Sequence, residues 1–122
     1  MTSYRVEDGY SIFEIEEASD SFKNNTKLHR LLRSVLYDLS LKLKSGQDIT
    51  PSIDPSTFID SLTSDFLLVL GKKDDTVELS VAFPDTDQVW TCSLPVIKKR
   101  LNLTHIKFCK VSGGLSNLLN KL

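Results

Sequence analysis

The chain reads as an α+β domain: an N-terminal helical hairpin followed by a small antiparallel β-sheet or half-barrel that a partner chain completes. Three observations predict this. Leucines recur at three- and four-residue steps through residues 26–45, the spacing of a helix with one apolar face. Two alternating runs between Thr76 and Leu94 flank Pro84-Asp85-Thr86-Asp87, the pattern of two half-buried strands and a turn. A later run, His105 to Val111, alternates less cleanly and supplies a last strand.

Residues 1–24 form an acidic N-terminal arm. Its SIFEIEE segment alternates briefly, which suits either a short strand or a flexible arm that adds an edge strand. Residues 25–71 form the helical hairpin. In its first helix Leu28, Leu31, Leu32, Val35, Leu36, Leu39 and Leu43 share one face, Asn25 or Thr26 caps the start and Gly46 ends it. The second helix starts at Asp54-Pro55 and carries Phe58, Ile59, Leu62, Phe66, Val69 and Leu70 at helical spacing up to Gly71. Its DFLLVL stretch also fits a strand, but cap and period agree on a helix. Two helices close a bundle poorly, so Leu32, Leu36 and Leu39 are candidates for contact with a partner's helices.

Residues 72–113 hold the β-hairpin and the final strand. Val77, Leu79, Val81 and Phe83 line one side of the first strand, Val89 to Leu94 return, and Pro95 stops the ladder. Residues 96–103 are either one helical turn or a basic loop. Residues 114–122, with Leu115, Leu118, Leu119 and Leu122, form a short C-terminal helix after Gly113-Gly114.

At 122 residues, 40% hydrophobic and 25% charged, the chain is one ordinary globular domain. Its first 20 residues are too charged for a signal peptide, and no apolar run is long enough for a membrane span. An intracellular protein with reduced Cys92 and Cys109 is therefore expected, and the sequons at Asn24 and Asn102 carry no weight. The net charge of −1 conceals blocks of −5 (residues 1–20), +5 (21–46), −7 (47–88) and +6 (89–122). These blocks pair internally, or they present a basic face to phosphates or to an acidic partner.

Catalytic and cofactor signatures are missing. Neither His29 nor His105 has a cysteine or carboxylate at metal-ligand spacing, no serine sits in a nucleophile elbow, and Gly113-Gly114 lacks the rest of a phosphate loop. Asp74-Asp75 and Asp85-x-Asp87 are turn acids. The expectation is a non-enzymatic protein with no cofactor, no metal and no small-molecule substrate. Trp90, the one tryptophan, is either a core residue or a partner-facing anchor. Lys98, Lys99, Arg100, Lys107 and Lys110 are candidates for nucleic-acid phosphates on charge alone.

Three segments together resemble the small (γ) subunit of the general transcription factor IIA. They are SVLYDLSLKLKSGQDITPSI, AFPDTDQVWTCSL (with Asp87, Val89, Trp90, Thr91 and Leu94 on the family's pattern) and HIKFCKVSGG. The likeness covers roughly residues 34–113. The acidic N-terminal stretch is extra, Val81 stands where the family has a tyrosine, and Pro55 interrupts a run that the family continues as helix. The resemblance implies a nuclear, non-enzymatic heterodimer subunit whose helices and strands are completed by a large subunit. It implies a role in transcription initiation, stabilising TATA-binding protein on promoter DNA, with Trp90 and Phe83 at partner contacts and basic side chains near the DNA backbone. The alternative is another protein–protein interaction module, either a homodimeric scaffold head or an assembly or secretion chaperone.

Overall fold

The computed structural model describes residues 3–8, 11–47, 52–53 and 66–114. Its elements are β1 (Ser3–Asp8), β2 (Ser11–Glu16), α1 (Asp20–Lys23), α2 (Thr26–Lys44), β3 (Ser52–Ile53), β4 (Leu67–Lys73), β5 (Thr76–Phe83), β6 (Gln88–Pro95) and β7 (His105–Val111). The strands form one open sheet in the order β1-β2-β7-β6-β5-β4-β3. Neighbours pair antiparallel, except that β2 runs parallel to β7. The α+β class with an open, partial sheet is as the residues predict; the sheet is mixed rather than purely antiparallel.

The hairpin at the centre follows its sequence closely. Phe83 pairs with Gln88 around Pro84–Asp87, and Val81 faces Trp90 across the ladder. The turn is closed by Thr86 N–H to the Phe83 carbonyl (3.2 Å) and Asp87 N–H to the Pro84 carbonyl (3.3 Å). Period-two alternation sends Val77, Leu79, Val81 and Phe83 of β5, and Trp90, Cys92 and Leu94 of β6, into the main core. The opposite face carries a small second cluster of Val69, Ala82 and Val89 and a hydroxyl pair, Ser80 Oγ to Thr91 Oγ1 at 2.9 Å.

Helix α2 begins where Asn25 Oδ1 accepts the Leu28 N–H at 3.0 Å. It ends in paired backbone bonds, Gly46 N–H to Leu43 and Gln47 N–H to Lys42, with Gly46 at φ 78°. That left-handed residue favours glycine. Leu28, Leu32, Leu36, Leu39 and Leu43 enter the same core as the inward side chains of β2 and β4 to β7. The leucine stripe assigned to a partner's helices is therefore satisfied within the chain: Leu32, Leu36 and Leu39 are buried against its own sheet.

One expectation is corrected. Residues 67–73 are strand β4, not the end of a second helix; the helix start at Asp54 lies outside the described residues. Leu68 faces the main core and Val69 the second cluster. A strand apolar on both faces loses its alternation and imitates a helical run. The acidic arm is the β1–β2 hairpin followed by α1. Phe13, Ile15 and Phe22 are buried in the main core, and parallel pairing with β7 ties β2 to residues Ile12↔His105 through Ile15↔Phe108. The expected C-terminal helix lies outside the described residues beyond Gly114.

Candidate protein-interaction groove

Of the two readings of Trp90, core residue and partner-facing anchor, the fold shows the first. Its side chain is 0% exposed. The indole Nε1–H donates to the Glu16 carbonyl at 2.7 Å, tying β6 to the end of β2. Phe22 and Phe83 meet its ring edge-on at 5.3 and 5.6 Å, geometry favoured by the ring quadrupoles. Phe83 is buried as well. Within this chain both residues are occupied by packing, which corrects their assignment as partner contacts.

The five basic candidates do not assemble into one patch. Lys107 and Lys110 lie three residues apart on β7, so they point to opposite sheet faces. Lys110 Nζ sits 5.9 Å from the Trp90 ring centroid and 3.9 Å from a Glu17 carboxylate oxygen, so it closes the core rather than reaching outward. Lys107 is exposed and sits in register with Glu14 on β2. Lys98, Lys99 and Arg100 do stay together. They form a two-residue hairpin turn in which Ile97 N–H bonds to the Arg100 carbonyl and Arg100 N–H to the Ile97 carbonyl, both at 3.0 Å. Lys98 and Lys99 hold φ of 53° and 60°, the positive values of a type I′ turn. Ile97, beside them, is 65% exposed.

The residues that sequence reasoning passed over lie on the flank of α2. Arg30, Ser34, Tyr37 and Leu41 follow one another at steps of 4, 3 and 4, a second stripe down the helix. Tyr37 is 62% and Leu41 47% exposed, two of the large hydrophobics left on the surface. Beside this stripe runs an open groove of about 550 Å³ whose walls include Arg30, Arg33, Leu36, Tyr37, Leu103 and Thr104. The opposite wall comes from the β6–β7 connection, where Leu101 anchors into the core and Thr104 passes its carbonyl to the Ile12 N–H at 2.9 Å. Asn102 Oδ1 accepts from both the Thr104 N–H (3.1 Å) and the Thr104 hydroxyl (2.6 Å), which stiffens that wall. The connection is long because β6 and β7 pair only over Val89–Thr91 with Cys109–Val111. Beyond those three pairs the strands diverge and β7 turns to β2.

Among the described residues the groove is lined by guanidinium, hydroxyl and apolar groups, with no carboxylate, imidazole or thiol. Among the described residues no three His, Cys, Asp or Glu side chains converge on a possible metal position. The one strongly displaced thiol, Cys92, is buried on the core side of β6; burial, and then repulsion from neighbouring Cys109, push it up to about 12. No helix among the described residues is long and apolar enough to cross a membrane. No protein-family model, curated protein or solved structure matches the chain.

Proposed function

We propose that this chain is a non-enzymatic subunit of a protein complex and that it holds its partner through the α2 groove. One observation carries the reading. With its leucine stripe already buried, α2 still presents Tyr37 and Leu41 to solvent beside a groove floored by Leu36 and Leu103. Surface aromatic and aliphatic groups beside a shaped apolar groove are the setting of interaction hot spots. The test is affinity purification from the native source with wild type and a Tyr37→Asp/Leu41→Asp variant, both checked for unchanged circular dichroism. A stoichiometric partner lost with the variant is expected. Identical partner sets for both proteins refute the reading.

In its sharper form the complex is a transcription-initiation assembly, with this chain as a transcription factor IIA-like small subunit that stabilises TATA-binding protein on promoter DNA in the nucleus. The support is the hairpin sequence from Asp87 to Leu94 and the basic tip at Lys98, Lys99 and Arg100. The order of elements departs from that family's, since a strand hairpin precedes α2 and β4 stands where the resemblance implies helix. A gel shift with TATA-binding protein, promoter DNA and a large subunit tests this form. A supershift weakened by Lys98→Glu/Lys99→Glu is expected, and no supershift with wild type excludes it.

A further inference from the structure

We infer that the turn Ile97–Arg100 docks on an anionic lipid surface. This goes beyond the groove reading and uses none of its residues. The turn is a projection on a fixed base. Val96 is half-buried against the core, with its N–H on the Asp75 carbonyl at 2.6 Å, and Leu101 is buried. Between these anchors Ile97, Lys98, Lys99 and Arg100 are all exposed, Ile97 to 65%. The paired backbone bonds between Ile97 and Arg100 hold the four in one shape. Four exposed side chains on a two-residue turn make a convex apex. Such an apex enters a soft boundary and gives a peptide no groove to lie in.

Chemistry selects the boundary. Among the described residues no ion pair or side-chain hydrogen bond takes up Lys98, Lys99 or Arg100. The neighbouring β4–β5 turn carries Lys72-Lys73-Asp74-Asp75, which is neutral in sum and leaves the three cations uncancelled. Beside them stands an exposed, branched apolar side chain. Phosphate headgroups over hydrocarbon satisfy both kinds of group. The ammonium and guanidinium groups stay at headgroup level while Ile97 enters the acyl boundary. A duplex backbone or a soluble phosphate offers the charge but no apolar surface for Ile97.

The backbone adds a second argument. Lys98 and Lys99 hold φ of 53° and 60°, a conformation that costs an ordinary side chain and that Asn-Gly adopts readily. A turn that carries two lysines against that preference is held for its side chains rather than for its backbone.

Co-sedimentation of the intact chain with vesicles tests this. One set is phosphatidylcholine alone; the other holds about one third phosphatidylserine, enough for a surface potential that draws cations in. Binding to the anionic set only, weakened by rising salt, is expected. Lys98→Asn/Lys99→Gly suits the turn but removes two charges, and should weaken binding by about 30-fold. Ile97→Ser should weaken it by about 5-fold, and circular dichroism should be unchanged for both variants. Tyr37→Asp/Leu41→Asp should leave vesicle binding intact, so the groove reading stands or falls separately. No binding by wild type overturns the inference. So does binding that Ile97→Ser leaves unchanged, which is adhesion by charge alone. Equal affinity for a soluble inositol phosphate also overturns it, because a lipid surface is then not what is recognised. Turn-dependent binding of duplex DNA without binding to vesicles overturns it and favours the transcription-factor form.

Discussion

Replacing Trp90 by alanine tests the whole account of the core, because the same residue viewed as a partner anchor predicts the opposite. The indole is fully buried. Truncating a buried tryptophan removes transfer free energy and leaves a cavity, about 3–5 kcal/mol together. The Glu16 carbonyl also loses its 2.7 Å donor, worth about 1 kcal/mol or more if no water replaces it. A sum near 5 kcal/mol compares with about 6–18 kcal/mol of total stability for a domain of 122 residues. Urea denaturation followed by circular dichroism reads it. With a slope of about 2 kcal/mol/M the midpoint falls by about 2.5 M, or the variant is unfolded from the start. Trp90→Phe keeps an aromatic ring against Phe22 and Phe83 but lacks the donor, and an intermediate loss of about 2 kcal/mol is expected. Trp90→Ala costing under about 1 kcal/mol with an unchanged slope would refute the reasoning. It would return the indole to the surface and to a partner.

Three further outcomes follow from the same structure. In the native protein a thiol reagent should label exposed Cys109 quickly and buried Cys92 only on unfolding. The folded chain keeps the Cys92 proton, which the unfolded chain releases from 9.0 upward. That stability is therefore intact below about pH 9 and drains away as pH climbs towards about 12. The difference in unfolding free energy between wild type and Cys92→Val should narrow over that window. In thermal melts Gly114→Ala should destabilise the fold by more than Gly46→Ala, about 2 kcal/mol against about 1. Both have positive φ, but a Cβ at Gly114 would lie 2.6 Å from an Asp87 carboxylate oxygen, whereas nothing lies within 4 Å of one at Gly46. Lys98→Asn/Lys99→Gly should raise stability by about 1 kcal/mol, since both lysines hold backbone angles that Asn-Gly adopts readily. Equal or lower stability in a thermal melt would count against the turn geometry.

What the sequence made legible was local. The hairpin around Pro84–Asp87, the length of α2 and strand β7 all follow from period, cap and turn residues within a few positions of one another. Strand β4 was misread because Leu67 to Leu70 are apolar on both faces. The parallel join of β2 to β7 was out of reach because Ile12 and His105 are 93 positions apart, and no local pattern announces a partner at that distance. The groove was missed for the same reason, as its walls come from α2 and from Leu103-Thr104. One signal was present. Tyr37 and Leu41 are apolar residues off the leucine stripe of an amphipathic helix, and such residues need a reason to be there.

The parallel pairing of β2 with β7 also sets the order in which a growing chain is able to fold. Phe13 and Ile15 reach their core neighbours Ile106 and Phe108 only after residues 105–111 have been synthesised. Until then the leucines of α2, Phe13 and Phe22 lack part of the floor they pack on. Closing a span that long costs loop entropy before any contact repays it, and such topologies fold slowly. The final strand, rather than the central hairpin, joins β2 to β6 and so completes the sheet.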